Sequence, residues 1–288
     1  MEYASLQAFL DRGKAVLAKG PVGIVLIEDL VEAESAIRHQ LAAGFRAVLA
    51  FAPADWRAPA DLAETVHRIP FDTRGADALT RAVNPVIAAC PPTTWLHYCY
   101  NAEYLFHPFC ETRNVRELIA FHTEERRDAM LTYVVDLYAP DLTANANAVN
   151  LEAAMIDRSG YFALVRKDAE GIPRERQYDF FGGLRWRFEE HVPPDRRKID
   201  RIGLFRSQQG LQLRPDHSFN IEEYNTYACP WHNNLTAAIM SFRVAKALKS
   251  NPGSAFEIRS FHWYNSVPFS WGSQQLMDLG LMEPGQWF

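Results

Sequence analysis

Arginine and glutamate side chains are concentrated around the one double glycine of the chain, in residues 182–206. If this stretch is a strand, Arg185 and Arg187 project from the same face. Neighbouring guanidinium groups suit a diphosphate, because each can bind it through two hydrogen bonds. Glu189 and Glu190 follow directly, and a carboxylate there could act as a general base whose pKa the arginines tune. The alternative interpretation is a solvated face held by ion pairs.

Two clusters that contain histidine lie further along the chain. Asp216 and His217 precede Glu223, and His232 stands in a run of Pro, Trp and Asn residues. Histidine and carboxylate side chains supply acid–base catalysts and metal ligands, although a lone histidine is more often a structural residue. The apolar spacing of 235–248 predicts an amphipathic helix directly after the second cluster.

A sheet must bring these groups together, and the first half of the sequence predicts one. Short, continuous apolar runs are typical of strands that are buried on both faces. They alternate with segments of helical spacing, which predicts an α/β fold with a mostly parallel central sheet flanked by helices. The predicted strands are 22–27, 47–51, 65–70, 95–100 and 130–138, and the predicted helices are 30–41, 76–89 and 116–125.

Ligands of such sheets bind at the carboxyl ends of the strands. These ends carry Glu28, Asp29, Asp55 and Asn101, which are therefore candidate binding residues. The sequence has no glycine-rich dinucleotide fingerprint, no P-loop and no HExxH motif. These absences argue against classical NAD dehydrogenases, P-loop NTPases and zincins.

Composition argues against several other classes of protein. The chain has 288 residues, 48% of them apolar, which is enough for a sizeable core. Its net charge of -5 argues against a dedicated nucleic-acid-binding protein, and no apolar run approaches the roughly 20 residues of a membrane span. The N-terminal residues lack a signal-peptide pattern and the four cysteines form no C-x-x-C pair. We therefore expect a cytoplasmic protein with free thiols.

Several short motifs occur in the order found in one enzyme family. They are IED (27–29), YNAEYLFHP (100–108), YVVDLY (133–138), GGLRWRF (182–188), KIDRIGL (198–204) and His217. In their order and spacing, the chain resembles the bacterial family-2-like glycosyltransferases of the GT-A fold, which have a Rossmann-like nucleotide-binding sheet. The resemblance extends over roughly residues 20–250.

The resemblance implies one GT-A-like glycosyltransferase domain over 1–250. Its nucleotide-binding half would cover about 20–140 and its acceptor half about 141–250, and 251–288 would be a C-terminal helical and aromatic extension packed on the domain. The implied activity is transfer of a sugar from a nucleotide-sugar donor to a hydroxyl of a glycan or small-molecule acceptor, in polysaccharide or glycoconjugate biosynthesis. A homo-oligomer is compatible with this interpretation.

The chain departs from the family at the metal-binding motif D-x-D-E-F. Both aspartates are replaced, by Tyr100 and Ala102, and Glu103 is the one acid of the motif that remains. In the family, this motif ties Mn²⁺ or Mg²⁺ to the donor diphosphate. The cation neutralises the charge that develops on the leaving group.

Three interpretations of this loss are open. Glu103 and His217 could still hold the divalent cation. Arg185, Arg187 or Arg201 could replace the cation by direct electrostatic stabilisation of the diphosphate. Alternatively, catalysis is lost or needs no metal, and the chain is a nucleotide-sugar-binding protein.

For an active transferase, we expect Glu189 or Glu190 to deprotonate the acceptor, with Glu223 in reserve. A glycoside hydrolase that acts through paired carboxylates is a further alternative, but it does not need a nucleotide-type sheet. The side chains expected to contact the donor are Glu28, Asp29, Asp55, Asn101, Glu103, Arg185, Arg187, Arg201 and His232.

Overall fold

The computed structural model describes residues 1–226 and 234–287, which form a mixed α/β protein of two compact units. The first unit consists of residues 1–105, 112–131 and 202–225. The second unit consists of residues 106–111, 132–201 and the described residues from 226 onward. Within the described ranges, no helix combines the length and the apolar character needed to cross a membrane.

Helices and strands alternate through the first half of the chain. The helices are α1 (Leu6–Arg12), α2 (Ala33–Ala43), α3 (Ala78–Ala89), α4 (Val115–Glu124), α5 (Leu184–Arg187), α6 (Glu222–Asn225), α7 (Arg243–Ser250), α8 (Pro252–Glu257) and α9 (Ser273–Asp278). The strands are β1 (Val22–Leu26), β2 (Ala47–Ala52), β3 (Val66–Pro70), β4 (Trp95–Tyr100), β5 (Glu103–Phe106), β6 (Ala129–Asp136), β7 (Met155–Asp157), β8 (Phe162–Lys167), β9 (Pro173–Phe181), β10 (Asp200–Arg206), β11 (Ala237–Ser241) and β12 (Ser266–Pro268).

The first unit contains a sheet in the order β3-β2-β1-β4-β10. Strands β1 to β4 are parallel, and β10 is antiparallel to β4. Strands β1, β2 and β4 are buried along their whole length, which is why their sequences are continuous apolar runs. The predicted α/β class, with a mostly parallel sheet flanked by helices, is confirmed.

Helix α2 shows how a helix is fixed against this sheet. Its Ala33 and Ile37 belong to the same buried cluster as Val25 of β1 and Val48 of β2. The helix ends at Gly44, which has a φ of 105° and donates its N–H to carbonyl groups of the last helical turn. Glycine adopts this left-handed conformation without steric cost, which is why it suits the C-cap of this helix.

The second unit corrects the predicted helix over 235–248. Strand β11 begins the segment and pairs in parallel with β6, from Ala237 opposite Thr132 to Ser241 opposite Asp136. Helix α7 begins only after it. A short buried run of mostly apolar residues fits a strand or a helix equally well by its spacing, and the available partner strand selects the extended form.

The second unit also contains two antiparallel pairs. Strand β7 pairs with β12, and β8 pairs with β9 as a hairpin. Most residues of β8 are exposed. The hairpin therefore presents side chains to solvent.

The segment after the double glycine corrects a second expectation. Arg185 and Arg187 lie on the helical turn α5, so the same-face geometry of a strand does not apply. The turn starts at Gly183, whose φ is 64°. A Cβ atom at Gly183 would lie 2.8 Å from Oδ2 of Asp136, so this position has room for glycine alone.

Candidate functional site

The chain changes direction in the sheet of the first unit between β1 and β4. It proceeds from β1 outward to β2 and β3, then crosses back to form β4 on the other side of β1. The loops that leave the carboxyl ends of β1 and β4 therefore diverge. Open α/β sheets bind their ligands in the crevice that forms at such a point.

Asn101 ties the two loops together at this edge. It is fully buried, and its Nδ2 donates to Oδ1 of Asp29 and to the carbonyl of Val31, both at 2.8 Å. Its Oδ1 accepts the N–H of Glu28 at 2.9 Å. The amide thus fixes the backbone that carries Glu28 and Asp29, and its predicted contact with the donor stays a prediction.

The predicted acidic side chains stand at the same edge. Glu28 and Asp29 are half-buried, and Asp55 is exposed three residues after the end of β2. Oδ1 of Asp29 also accepts the N–H of Val31 at 2.9 Å. Because β1, β2 and β4 are parallel, the structure brings Glu28, Asp29, Asp55 and Asn101 to one edge of the sheet, as predicted from their strand-end positions.

The loop after β3 adds a cation that the sequence analysis missed. Thr73 is buried and donates through Oγ1 to the carbonyl of Ile27 at 2.8 Å. The next residue, Arg74, is exposed, and its Nε donates to the carbonyl of Glu28 at 2.8 Å. The guanidinium group is thereby anchored beside the crevice. Its position just after a predicted strand was the available signal.

Glu103, the remaining acid of the metal motif, is buried at the start of β5, directly after the turn that follows β4. Its Oε2 accepts the N–H of Tyr100 at 2.9 Å. Ala102, which replaces the second aspartate, has a φ of 59°, an unusual left-handed conformation for a residue other than glycine. The carboxylate thus stabilises a strained turn.

His217, the other predicted metal ligand, also contacts protein. Its Nδ1 lies 2.9 Å from the hydroxyl of Tyr98, and the two rings are stacked. Within residues 1–226 and 234–287, no group of three or more His, Cys, Asp or Glu side chains is arranged to hold a metal ion. The predicted divalent cation at Glu103 and His217 stays a prediction.

Arg185, a predicted diphosphate ligand, lies beside a buried carboxylate. Its Nε is 3.4 Å from Oδ1 of Asp136, and its Nη1 donates to the carbonyl of Lys198 at 2.7 Å. Burial raises the pKa of Asp136 to about 6, against the opposing effect of the Arg185 guanidinium. The pair holds α5 against the end of β6.

Arg187 is paired in the same way. It contacts both carboxylate oxygens of Asp157, at 3.1 and 3.2 Å, and donates to the carbonyl of Phe261. Its guanidinium lies 4.4 Å from the ring centre of Trp263, within the range of a cation–π contact. The indole N–H of Trp263 donates to Asp157 at 2.7 Å. Internal partners thus account for this buried arginine, and a diphosphate contact stays a prediction.

The remaining predicted residues lie on several elements. Arg201 is buried on β10, and its carbonyl accepts the hydroxyl of Thr132 at 2.8 Å. Glu189 pairs with Arg197 at 3.2 Å in the second unit, where Glu190 is exposed. The other residues are Glu223, exposed on α6 of the first unit, and His232, which lies outside the described residues.

Comparison with known proteins adds no family assignment. The sequence matches no protein-family model, and no curated protein is significantly similar to it.

Proposed function

We propose that this protein is a glycosyltransferase that moves a sugar from a nucleotide-sugar donor to an acceptor hydroxyl. The observation that carries the proposal is the edge between β1 and β4, where Asn101 fixes the loop of Glu28 and Asp29 and Arg74 stands exposed beside it. The resemblance of the ordered motifs to family-2-like enzymes supports the same activity, and a GT-A arrangement is part of the proposal.

The basic and acidic residues of this edge contact different parts of the donor. Arg74 holds the diphosphate, because a guanidinium forms charge-assisted hydrogen bonds with phosphate oxygens. Glu28 and Asp55 accept hydrogen bonds from hydroxyl and amino groups of the nucleoside. With Tyr100 and Ala102 in place of the aspartates of the family, an arginine takes the electrostatic role of the cation.

In the reaction, the acceptor oxygen attacks the anomeric carbon of the donor sugar. A carboxylate takes the hydroxyl proton, and the nucleoside diphosphate leaves with the electron pair of the broken glycosidic bond. Glu189 or Glu190 is our candidate for that carboxylate, with Glu223 in reserve. A cytoplasmic location of the reaction is part of the proposal.

A screen of donors tests the activity. UDP-, GDP- and dTDP-sugars are incubated with the protein and a panel of saccharide and small-molecule acceptors, with and without Mn²⁺, and nucleoside diphosphate release is measured. We expect release with at least one donor, and reduced release in E189Q or E190Q. If both variants keep full turnover, the assignment of the base is wrong.

A nucleotide-sugar-binding protein without catalysis is the second candidate, and the loss of both motif aspartates, at Tyr100 and Ala102, favours it. This second candidate predicts that a donor binds in calorimetry, while no nucleoside diphosphate is released with any acceptor or at any metal concentration. If no donor binds at all, both candidates fail.

A further inference from the structure

A shallow pocket opens in the second unit between the β8–β9 hairpin and α5. Its volume is about 160 Å³, and one wall is apolar, formed by Phe162, Leu164, Phe181 and Trp186. This is smaller than the pockets of about 300 Å³ and above that enclose drug-sized ligands. The pocket therefore suits a single small ring that stays partly exposed to solvent.

The apolar wall is held in place although much of it is exposed. Phe162 and Phe181 stack with ring centres 5.3 Å apart, and Trp186 meets Phe162 edge to face at 6.2 Å. A Cβ atom at Gly160 would lie 3.3 Å from Cζ3 of Trp186, so the indole packs closely against the glycine backbone. Trp186 nevertheless remains 42% exposed. The protein thus presents a fixed aromatic surface.

The polar side of the pocket carries balanced charge. Arg197 pairs with Oε2 of Glu189 at 3.2 Å and donates to the Glu189 carbonyl at 2.7 Å. Arg185, which also lines the pocket, lies beside Asp136. Each lining guanidinium therefore has a carboxylate partner. A phosphate or an anionic membrane surface would require cationic charge in excess.

We infer that this pocket binds a neutral hexopyranose ring of a carbohydrate. The apolar C–H face of the sugar stacks on Trp186, and its hydroxyls exchange hydrogen bonds with the carboxylate of Glu189 and the guanidinium of Arg197. An aromatic wall beside a charge-balanced polar rim fits a ring that is apolar on its faces and polar at its edge. The observations come from the second unit alone, but because Glu189 is also a candidate base, the inference names an acceptor for the proposed function and in that respect rests on it.

Saturation-transfer difference NMR measures this binding directly. The probes are methyl β-D-glucopyranoside, methyl β-D-galactopyranoside and N-acetylglucosamine at millimolar concentration. We expect transfer to the ring C–H protons of at least one probe. W186A should weaken binding about fivefold or more through loss of the stacking surface, and W186F should restore most of it.

The matched control is Y264A, which removes an aromatic side chain that is 81% exposed elsewhere in the second unit. It should bind the probes as the unchanged protein does. Circular dichroism of each variant reports whether it is folded, and W186F keeps the test valid if W186A is not.

Two results would overturn the inference: the unchanged protein gives no transfer to any probe, or W186A binds the probes as well as the unchanged protein does. In the first case, binding to phosphatidylcholine–phosphatidylglycerol vesicles or self-association in sedimentation that depends on Trp186 would assign the surface to a membrane or to a second copy instead. A failed donor screen leaves the saccharide result unaffected, so the two claims are tested separately.

Discussion

At the scale of single residues, the candidate crevice depends on side chains that bond to backbone. Asn101 holds the Glu28–Asp29 loop through three hydrogen bonds, and Thr73 and Arg74 attach the loop after β3 to the end of β1. Because these bonds fix the loops before any ligand arrives, the crevice is preorganised. A preorganised site spends less of its binding energy on ordering loops.

We predict that the buried His122 makes the stability of the fold depend on pH. The side chain is buried on α4, and burial lowers its pKa from 6.5 to about 4. The unfolded chain therefore binds a proton at His122 below about pH 6.5, whereas the folded chain does so only below about pH 4, and stability falls as the pH drops through this window. By pH 5 the loss from this group is about 2 kcal/mol.

The variant H122Q tests this assignment, because glutamine stays neutral and can donate to the carbonyl of Ala129, which His122 now contacts through Nε2 at 2.9 Å. Urea unfolding at pH 7 and pH 5 gives the free energy of unfolding. We expect H122Q to lose about 2 kcal/mol less than the unchanged protein between the two pH values. Equal losses in both proteins would show that His122 is not the titrating group.

The sequence could place the strand-end residues but not their partners. Asn101 and Asp29 follow predicted parallel strands, so their meeting at one edge could be anticipated. For Arg74, the predicted strand before it indicates the same edge of the sheet, but the hydrogen bond that fixes it to the Glu28 carbonyl could not be predicted, because Arg74 lies in an irregular loop. The partners of Arg185 and Arg187 could not be predicted either, because Asp136 and Asp157 are distant from these arginines in sequence.

At the scale of elements, the start of α5 depends on one glycine. Gly183 has a φ of 64°, and an added Cβ would lie 2.8 Å from Oδ2 of the buried Asp136. We predict that G183A lowers the free energy of unfolding by about 3 kcal/mol, from backbone strain together with overpacking.

The control is G280A in the same unit. Gly280 has a similar φ of 68°, and an added Cβ would meet nothing within 4 Å. Only the backbone strain remains, so we expect a loss of about 1 kcal/mol. Similar losses for both variants in urea unfolding would mean that the contact with Asp136 does not matter.

Elements near the N-terminus were easier to predict than those further on. Strands β1, β2 and β4 are each a short buried run of mostly apolar residues, and their bounds agree with the prediction within one residue at each end. The helix predicted over 235–248 is wrong, because the strand at its start is defined by pairing with β6, which is distant in sequence. Local spacing carries no information about such a partner.

At the scale of the whole molecule, charge sets a condition on the proposed donor. The chain carries 35 acidic and 30 basic side chains, so its overall field does not attract an anionic nucleotide sugar. Binding must then come from local cations. Arg185 and Arg187 already have carboxylate partners, whereas the Nε of Arg74 contacts a backbone carbonyl and its guanidinium lies at an exposed edge.

Calorimetry of donor binding to R74Q and R116Q therefore shows whether Arg74 holds the diphosphate. Both substitutions remove one positive charge from an exposed arginine. Asn114, two residues before Arg116, would lie 3.2 Å from a Cβ added at Gly44, which precedes the amino end of β2, so Arg116 lies away from the crevice. With the donor selected by the screen, we predict that R74Q weakens binding about tenfold or more and R116Q leaves it unchanged. Equal affinity of R74Q and R116Q for the donor would show that Arg74 does not hold the diphosphate.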